Sequence, residues 1–443
     1  MTGSNNNLFG TDGIRAEVGT SPLSFTTMGK LGSAIGMWAL STYGSRPRIV
    51  VASDPRISTD IVKCTLFSGL LLHNIELFDA GTLPTPAIDI IIPHFDAHGG
   101  IIISASHNSH HYNGIKIIDA KTGKLSPHDE EKISELFNAA HTSPISYAHV
   151  GRIFAFPNAH IYYTSSMINK FSTSFLINKK IVIDCANGAT SKLAPDVMEY
   201  FGARVIALHH SPTGTNINDQ CGSTFPHVVQ QAVLDNQADI GFAFDGDGDR
   251  LVVVNRHGII KDGDDILALL LENPVYQHIP TVVGTIMSNQ GFEIYVNKKN
   301  KNFIRTAVGD KHIAIALEKY QTSLGGEPSG HIIMRDHCRI SDGIFCALRI
   351  LQTMIITNNL DLETFEKFPH ATINLPITQK KDLHSGTCFD IISQSQEKLK
   401  QGRLIVRYSG TEPILRIAAE APTKQEAHDI ANKLAQQLRK ELA

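Results

Sequence analysis

Three aspartates at alternating positions form the pattern in this sequence with the clearest chemistry. Asp245, Asp247 and Asp249 are separated by single glycines in the run Asp245-Gly-Asp-Gly-Asp-Arg250. The glycines let the backbone curl, so the three carboxylates can converge on one ion. Carboxylate oxygens suit Mg²⁺, which usually keeps coordination positions free for a phosphate oxygen. The run therefore predicts a magnesium site that handles phosphate.

This run is not a calcium-binding EF-hand loop, although such loops also begin with alternating acidic residues. An EF-hand needs glycine at its sixth position and glutamate at its twelfth. This sequence has Arg250 and Arg256 there. Three aspartates and one Mg²⁺ leave a net negative charge that would repel a phosphate dianion, so nearby cations are needed. We expect Arg250 to be one of them and to contact the substrate.

A serine that can carry a phosphoryl group lies in the run Ser104-Ala-Ser-His-Asn108. Ser106 follows an apolar stretch and lacks the Gly-x-Ser-x-Gly context of hydrolase serines, so a hydrolase triad is not predicted. His107 could assist the hydroxyl or fix the turn. The neighbouring histidines have a spacing that could bind zinc on a helix, but Asn113-Gly114 indicates a loop, so zinc is not expected. Lys116 could reach back towards the serine.

Three further runs combine glycine with charged or hydroxyl side chains. Phe9-Gly-Thr-Asp-Gly-Ile-Arg15 could bind an anion through Arg15 and its backbone. Gly326-Glu-Pro-Ser-Gly-His331 offers a carboxylate and a hydroxyl suited to vicinal sugar hydroxyls. Arg407-Tyr-Ser-Gly-Thr411, with Arg416, has the composition of a phosphate clamp. Each run is weak evidence alone, and it is their combination with the aspartate run that indicates a phosphosugar site.

A scaffold must hold these runs, and the sequence predicts a unit of strand, turn, helix, strand and strand that is repeated three times. The opening strands are predicted at residues 48–53, 180–185 and 281–286, the helices at 61–73, 192–201 and 292–299, the second strands at 75–78, 204–208 and 303–307, and the third strands at 99–104, 239–244 and 322–325. Continuous apolar strands alternating with helices predict the α/β class, with mixed, largely parallel sheets.

The third strand of each unit runs directly into a polar run. Ligands of open α/β sheets bind beyond the carboxyl ends of strands, so the three polar runs are predicted to form three walls of one cleft. After about residue 370 the pattern changes to a hairpin of strands 403–408 and 414–419 and an amphipathic helix at 423–442, which predicts a smaller α+β domain. The predicted domains are 1–150, 151–253, 254–370 and 371–443.

Composition excludes several classes of protein. The 443 residues carry 40 Lys and Arg against 43 Asp and Glu, which leaves no basic excess for nucleic acid. The six cysteines form no C-x-x-C pair, so reduced thiols are expected rather than a disulfide framework or a metal cluster. No signal peptide and no apolar run long enough to span a bilayer are visible. We expect a soluble, cytoplasmic protein of several domains, with no nucleic-acid or membrane partner.

Together, the five motifs resemble those of the α-D-phosphohexomutase superfamily, in the same order and over nearly the whole chain. The chain length and the first glycine run are most similar to the branch that acts on glucosamine phosphates. The resemblance implies four domains around a central cleft. In order along the chain they are a phosphoserine domain, a metal-binding domain, a sugar-binding domain and a phosphate-binding C-terminal domain.

The resemblance also implies a role for each motif residue. Ser106 matches the serine that carries the phosphoryl group and contacts the metal. Arg15, Lys116 and His107 are the candidate catalytic residues beside it. The remaining matches are the Mg²⁺ ligands Asp245, Asp247 and Asp249, the sugar-binding pair Glu327 and Ser329, and the phosphate-loop residues Arg407, Ser409, Gly410, Thr411 and Arg416. Arg250 and His331 are further candidates for binding the substrate. The chain departs from the family pattern at Ala16, Ser109 and Pro328, none of which removes a group that does chemistry.

The reaction implied is the interconversion of glucosamine 6-phosphate and glucosamine 1-phosphate through a phosphoserine and a 1,6-bisphosphate. Mg²⁺ and a bisphosphate or other activator that phosphorylates Ser106 are the implied cofactors, and the product would feed UDP-N-acetylglucosamine and cell-wall synthesis. The alternatives are a glucose or mannose phosphate mutase, a non-catalytic phosphosugar-binding protein and a metal-dependent phosphatase. His331, Lys116 and His107 all stay open as the group that moves the proton. The oligomeric state also stays open, a homodimer included.

Overall fold

The computed structural model describes residues 8–10, 12–139, 149–399, 401–409 and 413–442. The chain divides into two compact units, the first made of Met1–Thr285 with Thr306–Glu363 and the second of Ile286–Arg305 with Thr364–Ala443. Among the described residues, no helix has both the length and the apolar character needed to cross a membrane.

The first sheet of the larger unit has seven strands in the order β1-β5-β4-β2-β3-β7, with β6 beside β5. Its strands are β1 Ile14–Glu17, β2 Arg48–Ser53, β3 Glu76–Thr82, β4 Gly99–Ile103, β5 Tyr112–Asp119, β6 Gly123–Lys124 and β7 Arg152–Ala155, and its helices are α1 Phe25–Tyr43, α2 Thr59–Leu71, α3 Thr85–Ile91, α4 Pro127–Asn138 and α5 Ala159–Ile168. Strands β4, β2, β3 and β7 are parallel, whereas β5 runs antiparallel to β4 and β1. The sheet therefore continues past residue 150, where the sequence predicted a domain boundary.

A second sheet follows in the order β12-β11-β10-β8-β9. Its elements are β8 Lys180–Asp184, α6 Leu193–Tyr200, β9 Arg204–Leu208, α7 His227–Asn236, β10 Ile240–Phe244, β11 Leu251–Asn255 and β12 Ile260–Lys261. Strands β10, β8 and β9 are parallel and β11 is antiparallel to β10. The same arrangement recurs in the third sheet of this unit, where β15 is parallel to β13 and antiparallel to β16. The third group consists of α8 Gly263–Leu270, β13 Thr281–Thr285, α10 Asp310–Lys319, β15 Leu324–Gly326, β16 Ile332–Met334 and α11 Gly343–Thr357.

The smaller unit is built on an antiparallel sheet in the order β17-β19-β18. Its elements are α9 Gln290–Lys298, β17 His370–Pro376, α12 Gly386–Lys398, β18 Arg403–Tyr408, β19 Ile414–Glu420 and α13 Lys424–Leu442, and most of β14 Asn302–Thr306, which is not a strand of this antiparallel sheet. The predicted hairpin and terminal helix are present, but β17 makes β19 the central strand. Apolar residues at helical spacing on α13, such as Leu434 and Leu438, pack on this sheet in one core cluster.

The α/β class predicted from the sequence is confirmed: three α/β/α domains with mixed sheets precede a C-terminal domain with an antiparallel sheet. The first strand of each repeat is apolar because both of its faces are buried in the sheet. In β2, for example, every residue after Arg48 is buried. The predicted repeat was wrong in one respect, because in each of its three copies a helix separates the second strand from the third. These helices are α3, α7 and α10. A parallel neighbour requires such a crossover connection.

Candidate active site

The polar runs predicted to form the site occupy equivalent places in the three sheets of the larger unit. Each run connects a parallel strand to the antiparallel strand that follows it: β4 to β5, β10 to β11 and β15 to β16. The residues after each parallel strand therefore lie at its carboxyl end, where ligands of α/β sheets bind. One expectation was wrong: Asn113 and Gly114 lie in strand β5, not in a loop, because both pair with β1.

Ser106 lies against the aspartate run although 139 residues separate it from Asp245 in the sequence. Its side-chain oxygen Oγ donates a hydrogen bond of 2.6 Å to Asp245 Oδ2, and the residue is fully buried. Nδ1 of His107 lies 3.4 Å from the same Oγ. The hydroxyl predicted to carry phosphate and the carboxylates predicted to bind metal therefore share one site.

The three aspartates are all buried, and one oxygen of each lies within 4.8 Å of the others. Oδ1 of Asp247 is buried and has no hydrogen-bond partner among the described residues, as expected of an oxygen placed for a cation. Burial raises the pKa of Asp245 to about 8, and the charges of Asp247 and Asp249 add to that rise. The ionised form of Asp245 is thus disfavoured unless a cation balances it. These hard oxygen donors fit Mg²⁺.

Lys116 faces the aspartates from strand β5. Its Nζ lies 2.8 Å from both Asp247 Oδ2 and Asp249 Oδ2, and 2.9 Å from Asp12 Oδ2. Burial opposes the charge of Lys116, but these three carboxylates raise its pKa well above the ordinary value. Lys116 is therefore held as a cation. Arg15 Nη2 binds the same Asp12 oxygen at 2.6 Å, so one carboxylate joins both predicted basic residues.

The sugar loop reaches the metal loop through His331. Its Nδ1 lies 2.8 Å from Glu327 Oε1 and its Nε2 lies 3.1 Å from Asp249 Oδ1. Burial opposes protonation of the ring, but the two carboxylates raise the pKa of His331 to about 10, and Nε2 also lies 3.2 Å from Arg250 Nε. Ser329 Oγ donates to Glu327 Oε1 at 2.7 Å. Glu327 and Ser329 are thus held together, as expected of residues that share one ligand.

A cavity of about 320 Å³ opens beside these residues, within the range of small-molecule sites. Its lining includes Arg15, His107, Arg250, Glu327 and His331. Burial, together with the positive charges of Arg250 and Arg15, lowers the pKa of His107 to about 4, so this ring is neutral near pH 7. The cavity therefore combines two guanidinium groups, three carboxylates (Asp12, Asp310 and Glu327) and two imidazoles.

The predicted phosphate loop belongs to the smaller unit and is described by itself. Arg407 on β18 and Arg416 on β19 are directly opposed across the antiparallel pair. The amide of Ser409 donates to the carbonyl of Ile414 at 2.9 Å, which closes the turn around the loop. Gly410 and Thr411 lie outside the described residues. The two guanidinium groups therefore arise from neighbouring positions on one sheet.

Comparison with known proteins identifies the family. Four models of phosphoglucomutase/phosphomannomutase match in order: α/β/α domain I at residues 6–143, domain II at 162–258, domain III at 262–368 and the C-terminal domain at 373–437. The chain belongs to the phosphoglucomutase/phosphomannomutase family. It is therefore a phosphohexomutase, an isomerase.

Relatives of this phosphohexomutase cover the whole chain. A phosphoglucosamine mutase of Lawsonia intracellularis is 38% identical and is matched over 98% of this chain and 99% of its own length. A phosphoglucomutase/phosphomannomutase family protein of Burkholderia thailandensis has a TM-score of 0.80 at 21% identity, covering 98% of each chain. An N-acetylphosphoglucosamine mutase of Aspergillus fumigatus, solved with GlcNAc-6P and magnesium, has a TM-score of 0.67 at 16% identity, covering 98% of this chain and 96% of the other.

Several residues of the phosphohexomutase site were not among the candidates taken from the sequence. Asp12 stands within the first glycine run, so its signal was present but unused. Thr85 donates to Asp247 Oδ2 at 2.7 Å from the start of helix α3, an element that the predicted repeat lacked. Arg56 follows strand β2 in another strand-end turn, and Asn218 has no sequence signal at all. Both contact the Ser106 loop.

A second group of metal-type ligands lies away from the aspartate run. Asp184, His209 and Cys221 have ligand atoms within 4.8 Å of one another. The carboxylate of Asp184, however, accepts the amides of Ala186 and Gly222 at 2.9 Å each, and its Oδ2 lies 3.1 Å from His209 Nδ1. Asp184 thus joins the loops of Ala186 and Gly222 through two backbone hydrogen bonds, and His209 lies beside its carboxylate.

Gly246 separates two of the aspartates and permits a close approach of the two loops. A Cβ at this position would lie 2.7 Å from both Ser106 O and Asn218 Nδ2. We expect Gly246→Ala to push the loops apart, lowering the free energy of unfolding by about 1–3 kcal/mol and kcat by about 100-fold. Chemical denaturation and steady-state kinetics would measure both effects.

The matched control for that change is Gly29→Ala. A Cβ on Gly29, in helix α1, would meet no atom closer than 3.8 Å. We expect its free energy of unfolding to stay level or rise by about 0.5–1 kcal/mol, because alanine favours the helix. Equal behaviour of the two variants would contradict the close approach at Gly246.

Proposed function

We propose that this phosphohexomutase interconverts glucosamine 6-phosphate and glucosamine 1-phosphate, with Ser106 as the phosphoryl carrier. The observation that carries the proposal is the 2.6 Å hydrogen bond from Ser106 Oγ to Asp245 Oδ2. Ser106 is next in sequence to His107, which lines a cavity together with Arg15 and Arg250. The 38% identity to a phosphoglucosamine mutase over almost the full length of both chains supports the choice of sugar.

In the proposed forward reaction the bond between phosphorus and Ser106 Oγ breaks while a bond from phosphorus to the sugar O1 forms. The proton of the O1 hydroxyl passes to a base, Ser106 Oγ takes up a proton as it leaves phosphorus, and the sugar becomes a 1,6-bisphosphate. After the bisphosphate reorients, Ser106 Oγ gives up its proton and bonds to the phosphorus on O6, the bond from that phosphorus to O6 breaks, and O6 takes up a proton. Positioning and charge stabilisation supply most of the catalysis in such transfers.

Asp245, Asp247 and Asp249 would hold Mg²⁺, with the oxygen of Ser106 beside them. When bound, Mg²⁺ supplies Lewis-acid stabilisation of negative charge on a phosphoryl group. Arg15, Lys116 and Arg250 contribute positive charge from the protein side. Among the three candidates for moving the proton, His107 has its Nδ1 3.4 Å from Ser106 Oγ, and its ring is neutral near pH 7 because its pKa is lowered to about 4. We assign the acceptor role to His107.

The remaining site residues bind substrate in this proposal. Glu327, Ser329 and His331 contact sugar hydroxyls, and the loop of the smaller unit holds the phosphate that is not reacting. That loop comprises Arg407, Ser409, Gly410, Thr411 and Arg416. The four predicted domains thus carry the phosphoserine, the metal, the sugar and the distal phosphate in turn.

The proposed function is tested with purified protein and a catalytic amount of glucose 1,6-bisphosphate. Glucosamine 6-phosphate, glucose 6-phosphate and mannose 6-phosphate are compared by kcat/KM. We expect the highest value for glucosamine 6-phosphate. A higher value for either other sugar would assign the chain to glucose or mannose phosphates instead, and steady release of free phosphate would indicate a phosphatase.

Arg416→Ala should weaken substrate binding more than it slows chemistry. A charge-assisted hydrogen bond to phosphate contributes about 1.5–3 kcal/mol, so we expect KM to rise roughly 10- to 100-fold with kcat little changed. Arg439→Ala removes an exposed arginine from helix α13 of the same unit and should leave both constants unchanged. An unchanged KM in Arg416→Ala would remove Arg416 from the phosphate loop.

The cellular context follows from the proposed reaction. Glucosamine 1-phosphate is consumed in making UDP-N-acetylglucosamine for peptidoglycan, so we place the enzyme in the cytoplasm as a supplier of that precursor. Ser106 would be primed by a sugar bisphosphate or another phosphoryl donor. A homodimer is compatible with this role.

A further inference from the structure

The backbone of Ser106 has an unusual conformation for a serine. Its φ angle is +52°, in the left-handed region that residues with a Cβ rarely adopt. The residue is fully buried between β4 and β5, so no solvent-side freedom explains the geometry. A strained residue at a functional site persists only when its surroundings hold it there. The question is which groups hold Ser106.

Two side chains from distant parts of the chain donate hydrogen bonds to the same two carbonyl groups of this loop. The Ser106 carbonyl accepts from Arg56 Nη2 at 2.9 Å and from Asn218 Nδ2 at 2.8 Å. The Asn108 carbonyl accepts from the same nitrogens, at 2.8 Å and 3.0 Å respectively. Each of the two carbonyls thus accepts two hydrogen bonds, and the two lie on either side of His107 in the sequence. We call this set of four hydrogen bonds the carbonyl clasp.

The amide side of Ser106 is fixed as well. Its N–H donates to Ser104 Oγ at 2.8 Å, and Ser104 Oγ in turn donates to Asp54 Oδ2 at 2.6 Å. Asp54 Oδ2 also accepts from Arg56 Nε at 2.9 Å, so a single buried ion pair anchors both ends of the residue. With its N–H and its carbonyl held, Ser106 can direct its side chain only over a narrow range.

Asn218 is itself rigidly placed. It comes from the second sheet domain, is buried, and its amide donates to the carbonyl of Ala186 at 2.9 Å. The carbonyl clasp therefore joins the domain of the phosphoserine to the domain of the aspartate run. This connection places Ser106 Oγ at hydrogen-bonding distance from Asp245.

We propose that Arg56 and Asn218 are positioning residues that hold Ser106 in its left-handed conformation and so aim its Oγ at the metal site. This inference rests on the proposed function, in which Ser106 carries the phosphoryl group. The residues act through the loop carbonyls and touch neither substrate nor metal. Reorientation of the Ser106 oxygen by a fraction of its bond length would misalign phosphoryl transfer without emptying the sugar site.

Asn218 is the better residue to test, because removing Arg56 would leave Asp54 buried without its cation. Asn218→Asp keeps the shape of the side chain but turns a donor into an acceptor that faces two carbonyl oxygens. We expect kcat to fall about 100-fold in Asn218→Asp and about 10-fold in Asn218→Ala, with KM for glucosamine 6-phosphate within roughly 3-fold of the wild type. Asn216→Ala is the matched control, because Asn216 is two residues away and its side chain bonds to Thr213 and Ser211 of its own loop.

A second readout does not depend on the reaction. Hydrogen exchange of the segment 102–110, followed by mass spectrometry, should be faster in both Asn218 variants and unchanged in Asn216→Ala. Unchanged kcat and unchanged exchange in Asn218→Asp would overturn the clasp, and so would equal losses in kcat and in substrate affinity. If exchange rises but the wild-type protein converts no hexose phosphate, the clasp stands and the proposed mutase function fails.

Discussion

Ser106→Ala is expected to abolish the conversion of glucosamine 6-phosphate, with kcat lower by at least about 10³-fold. Without the hydroxyl there is no protein atom to carry the phosphoryl group between O1 and O6. The substitution removes one hydrogen bond to Asp245, so the free energy of unfolding should fall by only about 1–2 kcal/mol. Activity assays and thermal unfolding on the same preparations would separate loss of chemistry from loss of fold.

Ser109→Ala is the matched control, because Ser109 lies in the same loop with its side chain exposed. It should retain activity and phosphorylation. Intact-mass analysis of the wild type should show a fraction with one added phosphate, localised to Ser106 and missing from Ser106→Ala. Full turnover in Ser106→Ala, or a phosphate at another residue, would end the phosphoserine proposal.

The sequence predicted which polar runs follow the strands because their placement is set by local rules. Alternating Asp and Gly after an apolar strand, and a serine after another, are turn signals that need no knowledge of tertiary contacts. The symmetry of the three sheets then brings such loops together, since each lies between a parallel strand and the antiparallel strand after it. In this way the run of residues 326–331, predicted to form one wall of the cleft, contacts Asp249 through His331.

The sequence could not reveal the groups that hold those loops in position. Asn218 contacts a carbonyl 112 residues away, and Arg56 contacts the same atom from 50 residues away. The tertiary fold brings such partners together. An isolated Asn or Arg in a polar stretch of sequence does not indicate which backbone groups its side chain will contact. Helix α3 was missed for a related reason, because its short apolar run after Pro84 resembles a strand.

Charge balance links the basic residues of the site to the predicted metal. Burying three carboxylates together is costly unless cations compensate them. Lys116 reaches two of the aspartates, and His331 reaches Asp249. Asp247 Oδ1 receives no donor among the described residues, and the pKa of Asp245 is raised to about 8 by burial and by its two neighbours. A divalent cation would supply the charge that the protein leaves out.

Asp247→Asn is therefore expected to be the second most damaging change, with kcat lower by about 100-fold or more at moderate Mg²⁺. An amide keeps the shape of Asp247 but offers a neutral oxygen, so the affinity for the cation should fall. Raising the Mg²⁺ concentration should recover part of the activity. EDTA should inactivate the wild type, and added Mg²⁺ should restore it.

Asp219→Asn provides the control for lost charge, because Asp219 is an exposed carboxylate of the same domain. Its Mg²⁺ dependence should match that of the wild type. The cation hypothesis also predicts that Mg²⁺ raises the unfolding temperature of the wild type by binding only the folded state, and that Asp247→Asn loses this increment. Wild-type activity that survives EDTA, together with an unfolding temperature insensitive to Mg²⁺, would show that Lys116 and His331 suffice to balance the aspartates.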